Sequence, residues 1–217
     1  MRLCSCPPSD AVLEEAGRNR RDWTGTPKPQ PTGWLISVLV SILAAAALAL
    51  FLQYAPDAST LFREDGPIET LQAAVLVVVA GLFAVGFRRS AGSRAFFCLL
   101  AAYACIFAVT REIPRCGSAF VGGEVCLPSS WKRAVVLGAS ALAVLALVLR
   151  PLDWRAVLRP SNIFWVWPSA IVLGFLVSAE ALESLVYYSA IEEFLELVAY
   201  FHLGFIAVSI LRQPVLR

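Results

Sequence analysis

The sequence predicts an all-α fold: a polytopic membrane protein of six transmembrane helices. Three observations predict it. Of 217 residues, 59% are hydrophobic and only 16% charged, and a mean hydropathy of +0.71 is well above that of a soluble domain with an ordinary apolar and charged share. Apolar stretches near the ~20 residues that a helix needs to cross the hydrocarbon core occur six times. Basic residues between those stretches gather on alternate sides, as the positive-inside rule requires. A net charge of +2 on scattered residues does not make a nucleic-acid surface, so the expected surroundings are the lipid bilayer and no nucleic acid. Abundant Ala, Leu, Val and Arg, with one Met, point to a high-GC bacterial source.

Residues 1–33 hold Pro7, Pro8, Pro27, Pro29 and Pro31 among scattered charges, a composition expected of a disordered cytoplasmic arm. The six-helix domain is expected over 34–217. Because a long polar arm precedes "WLISVLVSILAAAALALFLQY", that segment reads as an uncleaved span and not a secretory signal. Cys4 and Cys6 follow no apolar segment and read as reduced thiols. The spans fall at about 34–54, 67–87, 95–110, 134–149, 164–184 and 190–211. The third and fourth are short, but Arg94, Arg111, Lys132, Arg133 and Arg150 stand at their ends and reach the interface by snorkelling.

Two helix starts carry acids with a local explanation. In "REDGPIETLQ" Gly66 suits the N-cap, Pro67 the first helical position, and Glu69 the free N–H groups and positive helix end. In "SAIE", Ser189 as N-cap and Glu192 three residues later match a capping box.

With the amino terminus cytoplasmic, 13 of the 18 Lys and Arg residues lie inside. The outside keeps Arg63, Arg111, Arg115, Lys132 and Arg133. Both termini are therefore expected in the cytoplasm, and the membrane is expected to be the bacterial inner membrane. This orientation places Cys116 and Cys126 of "RCGSAFVGGEVC" outside, where an oxidising compartment allows a disulfide. Cys98 and Cys105, within the third span, read as buried packing residues.

Acid is distributed the opposite way. Asp10, Glu14, Glu15, Asp22 and Asp153 are inside, and the other eleven of the 16 acids are outside or in the outer half. Glu180 falls about 7 Å inside the fifth span and Glu196 about 10 Å inside the sixth, at 1.5 Å per residue. Glu192, Glu193 and Glu196 are helical neighbours, as are Glu180 and Glu183, and a short connection over "SLVYYS" makes the last two helices antiparallel partners. Glu69, Arg111, Glu112, Glu180, Glu183, Glu192, Glu193 and Glu196 are thus expected to form one outward-facing cluster, the candidate ligand- or cation-binding residues. Arg111 and Arg63 offset only part of the charge. Carboxyls in lipid are paired, protonated, hydrated or bound to a cation, and usually face a bundle interior or a wet cavity. No catalytic residue, metal ligand or cofactor is assigned: the single His202, among Tyr200, Phe201 and Phe205, reads as a hydrogen-bonded core residue, and no CxxC or HExxH pattern occurs.

The run Glu64-Asp65-Gly66-Pro67-Ile68-Glu69, then Arg111-Glu112, then "EEFLELVAYF", resembles a loose group of uncharacterised bacterial multi-pass inner-membrane proteins with an E-D-G-P-x-E helix start. The resemblance implies the membrane fold after Trp34 and brings no activity. A fainter similarity to iron permeases rests on an Arg-Glu-x-x-Glu pattern, from which the chain departs: Glu69 is five residues after Glu64, and Arg111-Glu112 has no acid at the third following position. Three functions fit the residues. A cation- or proton-linked transporter or binding protein would use the carboxyls as ligands or proton carriers, with a cation or small ligand arriving from the outer side. An accessory subunit would use them to hold Arg63 and Arg111 or to dock a membrane-protein partner. A membrane enzyme would divide acid and base roles between two glutamates, so enzymatic activity is left open.

Overall fold

The computed structural model describes residues 31–53, 67–114, 116, 126–150, 152, 154–157, 167–183 and 189–212. Within them lie α1 (Pro31–Gln53), α2 (Pro67–Arg89), α3 (Gly92–Glu112), α4 (Ser129–Leu149), the single turn α5 (Trp154–Val157), α6 (Trp167–Glu183) and α7 (Ser189–Arg212). The described residues form helices and no strand. Five helices are long and apolar enough to cross a membrane: Gly33–Phe51, Ile68–Arg89, Gly92–Glu112, Ser129–Leu149 and Ile191–Arg212. The sixth apolar helix, Pro168–Leu182, is shorter.

Several boundaries differ from the sequence expectation. α1 begins at Pro31, inside the expected arm, because proline fits the first turn of a helix, where its missing N–H costs nothing. α3 and α4 are both 21 residues long, against expected spans of 95–110 and 134–149. Backbone hydrogen bonding continues past the edge of an apolar run, so Arg94, Arg111, Glu112, Lys132 and Arg133 are helical residues and not flanks. α7 begins at Ser189, with Glu192 in its first turn. Pro67 does open α2, with Glu69 in its first turn. Gly66, Arg63, Cys4 and Cys6 lie outside the described residues.

α7 is the hub, packed against α1, α2 and α6; α2 packs on α3, and α3 on α4 and α5. A Cβ built on Gly86 would meet Ile210 at 3.7 Å, one on Gly204 would meet Val79 at 3.5 Å, and Gln72 bonds Glu193 at 2.8 Å. Positions on α2 and α7 therefore rise together, and the two helices run parallel. Ser37 facing His202 and Ala45 packed with Leu197 and Val198 make α1 antiparallel to α7. The main core joins Leu76, Val79 and Phe83 of α2, Cys98 and Cys105 of α3, Val172 of α6, and Ala199, Ile206 and Ile210 of α7. Phe83 and Phe97 meet edge to face, with ring centroids 5.9 Å apart. Cys98 and Cys105 are buried free thiols, as expected.

Large apolar side chains also cover the outside, among them Leu35, Phe51, Leu137, Val148 and Leu149, and α4 buries none of its residues within the bundle. A soluble monomer rarely exposes so continuous an apolar surface; a lipid-facing bundle does.

The α2–α3 hairpin turns within two residues, Ser90 and Ala91, and Gly92 takes φ +58°, a left-handed conformation that strains any residue with a Cβ. Arg150, just past α4, secures this turn. Its guanidinium donates to Phe87 O at 2.6 Å and to Ser90 O, and lies 5.3 Å from the Phe87 ring centroid. The α3–α4 connection carries a disulfide between Cys116 and Cys126, with Cα atoms 5.0 Å apart, and Leu127 N–H donates to Pro114 O at 2.9 Å.

Candidate functional site

The ends of four helices bring the acids together. Glu69 and Gln72 stand in the first two turns of α2, Arg111 and Glu112 end α3, Glu180 is in the last turn of α6, and Glu192, Glu193 and Glu196 open α7. The start of α4, with Lys132, and the disulfide lie at the same end of the bundle.

Arg111 is the central cation. Nη1 lies 3.0 Å from Glu180 Oε2, and Nη2 lies 3.7 Å from Glu196 Oε1, so one guanidinium from α3 links α6 to α7. The two contacts differ in surroundings: the Glu180 side chain is 61% exposed and that of Glu196 only 6%. Sequence spacing put Glu180 away from the rim. The described helix ends at Glu183, which leaves Glu180 in its final turn.

Glu112 is buried at the end of α3, and the Tyr200 hydroxyl donates to its Oε1 at 2.7 Å. Gln72 is fully buried, and its Nε2 donates to Glu193 Oε2 at 2.8 Å and to Glu193 O at 3.1 Å. The other side of the same amide, Gln72 Oε1, is buried without a hydrogen-bond partner among the described residues. Beyond these bonds, Glu193 feels the charges of Glu69, Glu112 and Glu192, and Glu196 feels Glu112, Glu192 and Glu193. Lys132 adds a second positive charge near Glu112. Glu69 and Glu192 are each engaged in interactions of their own; the Glu183 side chain lies outside the described residues.

Seven of the eight sequence candidates therefore have described side chains at one bundle end, tied by the contacts above. Spacing alone missed Gln72 and Tyr200. Both had a signal: Gln72 falls three residues after Glu69 and Tyr200 four after Glu196, the separations that share a helix face. Among the described residues no group of three or more His, Cys, Asp and Glu is arranged to hold a metal ion. Two described cavities, of about 190 and 520 Å³, are lined by no carboxylate.

His202 lies away from the acids. It is 1% exposed, its Nδ1 is 3.4 Å from Ser37 Oγ, and the backbone at Ser37 and Pro168 faces the ring. This is the buried core histidine the sequence suggested.

Fold and site define an all-helical bundle with apolar helices of membrane-crossing length and a polar, acid-rich end. No family model, no curated protein and no solved structure matches the chain.

Proposed function

We propose that the protein is a bacterial inner-membrane protein that crosses the bilayer six times, with both termini cytoplasmic, and binds protons or a small cation at its outward-facing acidic end as part of a transport or binding cycle. α6, at 17 residues, is about 26 Å long at 1.5 Å per residue, a length a bilayer accommodates by local thinning. The observation that carries the functional reading is that two buried carboxyls, Glu112 and Glu196, lie at the same end of the bundle as the buried Gln72 Oε1, which has no hydrogen-bond partner among the described residues. A buried acceptor without a donor costs free energy, and the O–H of a protonated carboxyl, a hydrated cation or water would satisfy it. Arg111 reaches Glu180 and Glu196, and Lys132 adds positive charge near Glu112.

Thermal unfolding of the purified protein across pH, with and without Na⁺, K⁺ or Mg²⁺, tests this reading. Wild type should shift its midpoint with pH or with one cation, and Glu196→Gln and Glu112→Gln should fold but lose that shift. A wild type that responds to neither, or variants that keep the response, would overturn it. Orientation is tested separately: reporters fused after Arg89 and Arg155 should read cytoplasmic, and those after Asp57 and Gly122 external. A cytoplasmic signal at Gly122 reverses the orientation.

One observation favours a second reading, an accessory subunit whose acids brace the bundle. Arg111 joins α6 to α7, which is the work of a strut. In that case Arg111→Gln and Glu196→Gln lower the unfolding midpoint equally, and no cation or pH response exists to be lost.

A further inference from the structure

The lipid-facing side of the bundle carries a groove between the parallel helices α2 and α7, about 520 Å³ in volume, walled by Val78 and Leu82 on one side and Gly204, Phe205 and Val208 on the other. It runs from Ala74 and Tyr200 to Arg212. Along α7 that is twelve residues, about 18 Å, the scale of an extended acyl chain spanning one leaflet, since the whole hydrocarbon core is ~30 Å thick. Gly204 shapes its floor: the missing side chain leaves α7 close to Val79, which a Cβ there would touch at 3.5 Å.

The two ends of the groove differ in charge. Its apolar stretch closes at Tyr200, whose hydroxyl is occupied by Glu112. Its other end opens at Ser209 and Arg212. Arg212 is exposed in the last turn of α7, and exposed Arg88 and Arg89 fill the last turn of α2 at the same level, as the Gly86–Ile210 proximity fixes. Arg94 and Arg155 stand at the same end of the bundle, and no acid does so among the described residues. An apolar slot of acyl length, open to lipid and ending in three arginines, has the chemistry of a phospholipid with an anionic headgroup.

We propose that this groove is a binding site for one anionic phospholipid, its acyl chain between α2 and α7 and its phosphate against Arg212 and the Arg88–Arg89 pair. The groove shares Tyr200 with the acidic end but takes its headgroup at the opposite, basic end. A zwitterionic lipid fits the same slot but gains less from the arginines, and one basic residue near an anionic headgroup contributes about a fivefold preference.

Native mass spectrometry of the full chain, purified in non-ionic detergent and titrated with phosphatidylglycerol or with phosphatidylcholine of the same acyl chains, reads this directly. Wild type should retain phosphatidylglycerol at least about fivefold better. Arg212→Gln should reduce that preference without changing phosphatidylcholine binding, because it alters an exposed helix end. Val78→Trp, a filled groove at a position 63% exposed, should reduce both lipids. Leu142→Trp on α4, 67% exposed and outside the groove, should reduce neither. Glycerol phosphate, which lacks the acyl chain, should not compete. Equal retention of the two lipids, indifference to Arg212→Gln, or displacement by glycerol phosphate would each overturn the proposal. So would a dimer in wild type that Val78→Trp dissociates, which would give the groove to a second copy. Thermal unfolding of each variant establishes that it is folded before binding is read.

Discussion

Replacing Tyr200 by Phe removes one hydroxyl and leaves the ring in place, so its effect reports the bond to Glu112. Both partners are buried, Tyr200 at 2% exposure and Glu112 at 6%, and the O–H···O distance of 2.7 Å is that of a well-formed bond. In soluble proteins a hydrogen bond to a charged group contributes about 1.5–3 kcal/mol. Within membranes side-chain bonds average about 0.6 and reach about 1.7 kcal/mol, because the unfolded reference state also finds partners. Glu112 is the last residue of α3, at a helix end but shielded by protein, so Tyr200→Phe should cost about 1–1.5 kcal/mol, toward the upper part of the membrane range. Unfolding by denaturing detergent in mixed micelles, followed by circular dichroism, measures it. The companion change Glu112→Leu leaves the Tyr200 hydroxyl without its acceptor, while the double variant removes both polar groups and approaches an apolar contact. The double should therefore cost less than the sum of the singles by at least about 0.5 kcal/mol. Additivity within about 0.3 kcal/mol would refute the bond as a stabilising contact between α3 and α7.

Three further outcomes follow from contacts elsewhere. Arg150→Ala removes donors to Phe87 O and Ser90 O together with the stacking on Phe87, and should destabilise the bundle by about 2 kcal/mol; Arg150→Lys should recover only part of this in the same unfolding assay, because Lys lacks the planar fork. Gly86→Ala places a Cβ 3.0 Å from Cys98 Sγ and should cost about 1–3 kcal/mol through overpacking, whereas Gly174→Ala, with nothing within 4 Å, should gain up to about 1 kcal/mol in helix propensity; equal effects at the two sites would contradict the close α2–α3 approach. Cys116→Ser should lower stability by about 2–3 kcal/mol for a loop with a sequence separation of 10, and a membrane-impermeant thiol reagent should label neither Cys116 nor Cys126 in unreduced wild type.

What could be read from the sequence follows which forces are local. The apolar runs of α1, α2 and α7 stand out because every face of a lipid-embedded helix is apolar, and their spans agree with the helices to within a few residues. α3 and α4 were expected too short because Arg94, Lys132 and Arg133 end the apolar run but not the backbone hydrogen bonding. Cys116 and Cys126 were legible because both lie in one short loop. The acidic cluster was legible as a gathering of helix ends, since alternation of direction puts the starts of α2 and α7 and the ends of α3 and α6 on one side. Who holds whom was not. Gln72 and Glu193 are 121 residues apart on parallel helices that no short loop connects, and Tyr200 and Glu112 are 88 apart; only packing decides such pairs.

The parallel pairing of α2 and α7 also divides the glutamates into two kinds. Adjacent parallel helices align their dipoles unfavourably, and each offsets this with charges of the complementary sign: Glu69 at the start and Arg88 and Arg89 at the end of α2, Glu192 at the start and Arg212 at the end of α7. Such terminal charges are worth about 0.3–1 kcal/mol each, so Glu69 and Glu192 have a sufficient structural reason to be acidic. Glu112 and Glu180 stand at the opposite kind of position. They occupy the carboxyl-terminal turns of α3 and α6, where the partial negative charge of the helix end disfavours an acid and favours a base such as Arg111. Glu193 and Glu196 are likewise not needed as caps, since Glu192 already supplies the charge of the first turn of α7. Helix electrostatics therefore accounts for the two acids at helix starts and works against those at helix ends. The carboxyls left over, Glu112, Glu180, Glu193 and Glu196, are the ones held by Tyr200, Arg111 and Gln72. Glu112 and Glu180 stand against the field of their own helices and are held there by Tyr200 and Arg111, so the helix ends alone do not account for an acid at either position.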